Sequence, residues 1–146
     1  MAAGTGGTGG DTVAAGWSKA FEDRTKAAFG GTFASDVVLE AATLHEPVVG
    51  LEAVRSVMAA ASGIYGELVF TDPVTSGART FLEWRATAAD SGTEYRGVTV
   101  LTANADGAIE HIAIHHRPLG SALQFSAELG RRLDGVVPAK HFFQEA

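Results

Sequence analysis

Three of the five histidines in the chain fall within six positions, in the stretch Glu110-His111-Ile112-Ala113-Ile114-His115-His116-Arg117. Imidazoles this dense suit a metal site, an acid/base catalyst, or a strand that carries histidine among its ordinary residues. The alternation decides how they can combine. Read at period 2, Ile112, Ile114 and His116 share one face and His111, Ala113 and His115 the other, and the isoleucines mark the buried side. His111 and His115 are four apart on a strand and so about 13 Å apart, whereas two imidazoles on one zinc lie within about 4 Å. His115 and His116 point to opposite faces. No metal is therefore expected, and the residue with chemical potential is His116, which can serve as hydrogen-bonding handle or proton carrier, or be a core histidine satisfied by backbone. His45, ahead of Pro47, and the strand tyrosines Tyr65 and Tyr95 are further candidates to reach a bound molecule, with local backbone bonding and packing as their structural alternatives. Glu83 and Arg85 flank Trp84 and share one strand face, so they can pair with each other, either as secondary site candidates or, if Leu82, Trp84 and Ala86 point inward, as a salt bridge on the outer face.

These residues need a frame. From Asp11 to about Phe29 apolar residues including Val13, Trp17, Ala20 and Phe21 recur at helical spacing and end at Gly30-Gly31, which predicts an amphipathic helix. A short strand follows from Asp36, then a bend at Pro47 and Gly50, then a helix over 51–61 that stops at Ser62-Gly63. Period-2 segments take over after Tyr65. Turn signals at 75–77, 90–92 and 104–107 divide them into strands near 66–74, 79–88, 94–103 and 108–117, antiparallel neighbours by their hairpin spacing. Pro118 ends the last strand, and Leu119 to Leu133 reads as a closing helix. The organisation expected is a flexible Gly/Thr segment over 1–10, one domain over 11–134 and a tail over 135–146, in an α+β fold with helices on one face of the sheet.

Composition removes several classes of function. A chain of 146 residues that is 46% hydrophobic suits one domain with a core. Against 17 Asp and Glu stand 11 Lys and Arg, for a net charge of −6, and no basic run is present to neutralise a phosphate backbone, so nucleic acid is not an expected partner. The absence of cysteine excludes disulfides and thiol chemistry and fits a cytoplasmic protein. No apolar run approaches the ~18 residues that span a bilayer, so no membrane is expected. Phosphate-loop, dinucleotide, nucleophile-elbow and zinc-protease motifs do not occur.

The element order, together with two stretches of sequence, resembles the nuclear transport factor 2-like superfamily, and within it the SnoaL-like polyketide cyclases, ketosteroid isomerases and limonene epoxide hydrolases. The stretches are FASDVVLEAATLHEPVVGLEAVRSVM, Phe33 to Met58, and NADGAIEHIAIHHRPLGSAL, Asn104 to Leu123. The resemblance implies a cone: a curved antiparallel sheet wrapped around the N-terminal helices, with a C-terminal helix and an apolar interior. Within it, the strand parity sends Ile112, Ile114 and His116 inward, opposite Trp17 and Phe21. Carried over position by position, the isomerase base falls on Ala41, its oxyanion-donating tyrosine near Trp17 and its protonated aspartate on Thr99. The aspartate shared by the cyclases and epoxide hydrolases falls on Ile114. The carboxylates are missing, so the isomerase mechanism is not expected.

What remains is a pocket for a hydrophobic small molecule, lined by Trp17, Phe21, Ala41, Thr99, Ile112, Ile114 and His116. One reading is a cofactor-independent isomerase, cyclase or hydratase with His116 as its catalytic residue. The other is a non-catalytic ligand-binding or interaction module of the same fold. The resemblance further implies a homodimer through the outer sheet face, with His111 and His115 in or near the contact.

Overall fold

The computed structural model describes residues 2–144, with side chains from Thr12 onward. Helix α1 runs Ala2–Asp23, α2 Lys26–Gly30, β1 Phe33–Ala41, β2 Val48–Val49, α3 Leu51–Ile64, β3 Tyr65–Phe70, β4 Val74–Ser76, β5 Arg79–Ala88, β6 Glu94–Ala103, β7 Ile109–Arg117 and α4 Leu119–Arg132. A 3-10 turn, Ala139–His141, closes the chain. The strands form one curved, unclosed sheet in the order β2-β1-β7-β6-β5-β3, with β4 also on β5.

Four features differ from the sequence reading. The helix expected from Asp11 begins at Ala2; Met1 lies outside the described residues, as do the side chains of the rest of the Gly/Thr segment. The expected single helix to Phe29 is broken at Arg24, whose φ of 58° no helix accepts, and Thr25 restarts it as N-cap by accepting a bond from the Ala28 N–H at 3.1 Å. The Arg24 side chain donates to the Tyr65 carbonyl at 2.9 Å, so a distant strand holds the break. The strand expected over 66–74 divides into β3 and β4 because Pro73 has no N–H for a ladder. The sheet, finally, is mixed. Every ladder is antiparallel except β1 on β7, where Leu39 sits beside Ile112 and Ala41 beside Ile114. A parallel pair needs a long crossover, and everything from β2 to β6 supplies it.

The pleat sorts the residues of this sheet. On β5 Leu82, Trp84, Ala86 and Ala88 are buried between exposed Glu83 and Arg85, and β6 and β7 continue the alternation. Against the concave face lie Trp17, Phe21 and Phe29 from α1 and α2, Val54, Val57 and Met58 from α3, and Phe125 and Leu129 from α4. The segment after α4 is anchored, since Val137 and Phe142 are buried, the Phe143 N–H donates to Ser126 Oγ at 2.8 Å and the His45 N–H donates to the His141 carbonyl at 2.8 Å.

Candidate functional site: an aromatic cavity inside the sheet

The concave face does not close completely over its helices. A cavity of about 30 Å³ remains, room for about two waters. Trp17, Phe21, Ala41, Thr99, Ile114 and His116 all line it, as do Tyr65, Trp84 and Phe125. Positions from β1, β6 and β7 meet there because the ladders align them: Ala41 lies beside Ile114, Ile114 beside Thr99, and His116 beside Gly97, which in turn is beside Trp84. Gly97 is required at that place. A Cβ would stand 2.5 Å from the His115 carbonyl and from the Trp84 ring, so only glycine lets the indole lie across β6 toward His116. The Trp84 and His116 rings meet edge to face at 5.4 Å, and Phe125 covers the imidazole at the same centroid distance.

Two of the lining residues each carry a buried polar atom with no hydrogen-bond partner, Trp17 Nε1 and His116 Nδ1. Burial of His116 lowers its pKa to about 4; the Ile114 backbone works in the opposite direction and His115 adds to the fall. The imidazole is neutral near pH 7, with one N–H and one lone pair. Burial pushes the Tyr65 phenol up, so it is a donor, and its hydroxyl has no hydrogen bond among the described residues. Thr43 and Thr99 supply buried hydroxyls. Among the described residues no carboxylate lines the cavity. The wall offers hydrogen-bond donors around an apolar space and no strong base.

Other residues singled out by spacing lie elsewhere. Ile112 is fully buried outside the cavity, deeper between Leu39 and Leu101, because it sits one pleat further toward the closed end. His45 is exposed, and only its neighbours Thr43 and Leu44 reach the cavity. Tyr95 is buried behind Tyr65 and Phe125, away from the cavity. Glu83 and Arg85 are on the outer face, but they do not pair with each other. Glu83 Oε2 is 3.9 Å from Arg117 Nη2, a long side chain reaching over β6, whereas alternate residues of one strand stand about 7 Å apart. His111 and His115 are on the outer face, with His111 Nε2 2.7 Å from Glu40 Oε2. Among the described residues no three His, Cys, Asp or Glu side chains converge as a metal site. Spacing missed Met58 and Phe125 in the wall; their signal was the apolar stripe of each helix, which continues through Val54 and Val57 and through Ala122 and Leu129.

Fold and site together define an α+β cone with an internal apolar cavity, the architecture of the nuclear transport factor 2-like superfamily. The SnoaL-like domain model matches residues 13–112, and the chain belongs to that family. Among solved structures, a steroid delta-isomerase from Pseudomonas aeruginosa is similar at TM-score 0.77 and 20% identity, over 87% of this chain and 93% of that one. A protein with a cystatin-like fold from Silicibacter pomeroyi DSS-3 gives TM-score 0.77 at 17% identity, over 83% and 84%. An ntf2-like protein from Mesorhizobium loti gives 0.67 at 20%, over 76% and 93%. At such identities these neighbours speak to the fold alone. A search of curated protein sequences finds no match.

Proposed function

We propose that the protein binds a small, flat, largely apolar molecule inside the cone and orients it by hydrogen bonds to Trp17 and His116. The observation that carries this reading is that two residues lining the cavity each hold a buried polar atom without a partner, Trp17 Nε1 on α1 and His116 Nδ1 on β7. A buried donor left unmade costs about 1–3 kcal/mol, and a ligand offering an acceptor to the indole and a matching atom to the imidazole removes that cost. The free space of about 30 Å³ is small beside the ~300 Å³ of common ligand sites, so binding displaces wall side chains, with unbranched Met58 and half-buried Leu68 and Phe70 of edge strand β3 the most yielding.

A catalytic reading rests on His116 and its neutral imidazole. A base with a pKa of about 4 abstracts protons weakly, so the chemistry that fits is donation or orientation at a polarised substrate oxygen, in a cofactor-independent isomerisation, cyclisation or hydration. The same outer-face pattern supports a homodimer: Phe81, Val100 and Ala113 lie in register across β5, β6 and β7, half-buried, and Val98 extends the apolar patch. A cytoplasmic location fits the absence of cysteine, and no helix among the described residues is long and apolar enough to cross a membrane.

Native mass spectrometry of the purified protein, followed by titration with small phenols and cyclic ketones read by tryptophan fluorescence, tests the proposal. Binding that weakens in both Trp17→Phe and His116→Ala supports it. Binding unaffected by either substitution, or no binding at all, removes it. Turnover that disappears in His116→Ala while binding persists selects the enzyme over the binding module.

A further inference from the structure

The outer face of the sheet carries a second concentration of chemistry. Arg85 and Arg96 are direct partners across β5 and β6, and Arg96 and Arg117 across β6 and β7, so three exposed guanidiniums stand in one row. Like charges placed directly opposite one another destabilise a sheet, and this chain has 11 cationic residues against 17 anionic ones with which to avoid it. The row is barely compensated. Glu83 approaches only Arg117, at 3.9 Å, and among the described residues no ion pair or hydrogen bond holds Arg85 or Arg96. Glu94 and Glu67 belong to the next rung of the sheet, in register with or beside Thr87, and make no ion pair with the row. The three arginines, with Val69, Thr71, Glu83 and Trp84, line a surface groove of about 160 Å³.

Guanidinium forks recognise phosphate and carboxylate oxygens in pairs. Neighbouring strands are about 4.8 Å apart, so the row is about 10 Å long, matched to an occupant with more than one anionic group rather than to a single ion. We propose that the Arg85–Arg96–Arg117 groove is a binding site for a small multivalent oxyanion, a diphosphate or a polycarboxylate. Arg96 is its centre, flanked by a cation on each side. Glu83, with Oε2 3.9 Å from Arg117 Nη2, is the internal competitor and repels an incoming anion. The site is on the face opposite the cavity, four residues along each strand from the Phe81–Val100–Ala113 row proposed for the homodimer, and independent of what the cavity holds.

Isothermal titration at low ionic strength with pyrophosphate, citrate and inorganic phosphate tests it, with the melting profile of each variant confirming the fold. Pyrophosphate or citrate binds saturably and more tightly than phosphate, and whichever is tighter assigns the anion class. Arg96→Gln weakens that binding more than about tenfold, Arg85→Gln and Arg117→Gln weaken it less, and Glu83→Gln strengthens it. Arg79→Gln, a lone exposed arginine on the same face of β5, leaves it unchanged. The proposal is overturned if neither multivalent anion saturates, if Arg96→Gln binds like the parent, or if Arg79→Gln costs as much as Arg96→Gln. It is overturned too if Arg96→Gln changes the association state of the protein and not anion binding, which would make the row an interface between copies.

Discussion

A single imidazole links the chemistry of the cavity to the stability of the fold. His116 has its folded pKa lowered from 6.5 to about 4, so the unfolded chain takes up a proton that the folded chain refuses as pH falls through that interval. Its contribution is neutral above pH 7 and turns progressively against folding as pH falls from 6.5 toward 4. Urea unfolding at pH 7 and pH 4 should show a smaller acid loss in His116→Gln than in the parent; equal losses would mean the imidazole is not excluded from solvent. Ligand affinity, where His116 contributes a neutral contact, should stay level from pH 5 to 8. Beside it, Gly97→Ala sets a Cβ 2.5 Å from a backbone carbonyl that the β6–β7 ladder fixes, and should cost about 3 kcal/mol or more in chemical unfolding. A cost under about 1 kcal/mol would show that the β6–β7 ladder and Trp84 both yield without penalty. The parity of β7 was legible because Ile112 and Ile114 alternate with His111, Ala113 and His115, and this located Ile114 and His116 on the inner side. Which inner residues face open space and which are packed solid, as Ile112 is, depends on the taper of the cone, and no local pattern encodes that.

At the scale of elements, both ends of the chain make contrasting claims on stability. Residues 2–10 are rich in glycine, among the poorest helix formers, so deleting them should leave the melting temperature unchanged, and a fall of several degrees would show that the segment packs on the domain. The far end has an anchor. Phe142, 2% exposed and against Gly130, should cost about 3–5 kcal/mol when changed to Ala, measured by chemical unfolding. That anchoring was illegible in VVPAKHFFQEA, whose apolar residues follow neither period. The helices and the three long hairpin strands were readable from their spacing, and so were the turns. The break at Arg24 was not, because its cause is a bond to the Tyr65 carbonyl forty-one residues on, and the parallel partnership of β1 and β7 was not, because periodicity describes a strand and not its neighbour.

For the whole molecule, light scattering at micromolar concentration should give the mass of two chains, and Val98→Glu, placing a charge in the apolar patch of the outer face, should return one. A monomer in the parent would remove the dimer. The order of the sheet also governs how the molecule comes into being. Phe33 finds its neighbour only at Ile109, so the first long strand emerges from the ribosome well before the strand that will lie along its inner edge exists. Until then Trp17, Phe29 and Leu39 have helices against them but lack the β7 side of their enclosure. Contacts so distant in sequence make folding slow and leave an open strand edge exposed to other chains. The same crossover that brings Ala41 beside Ile114 in the cavity wall thus makes the nascent chain dependent on its last strand, and a ribosome paused before β7 would hold β1 without its inner neighbour.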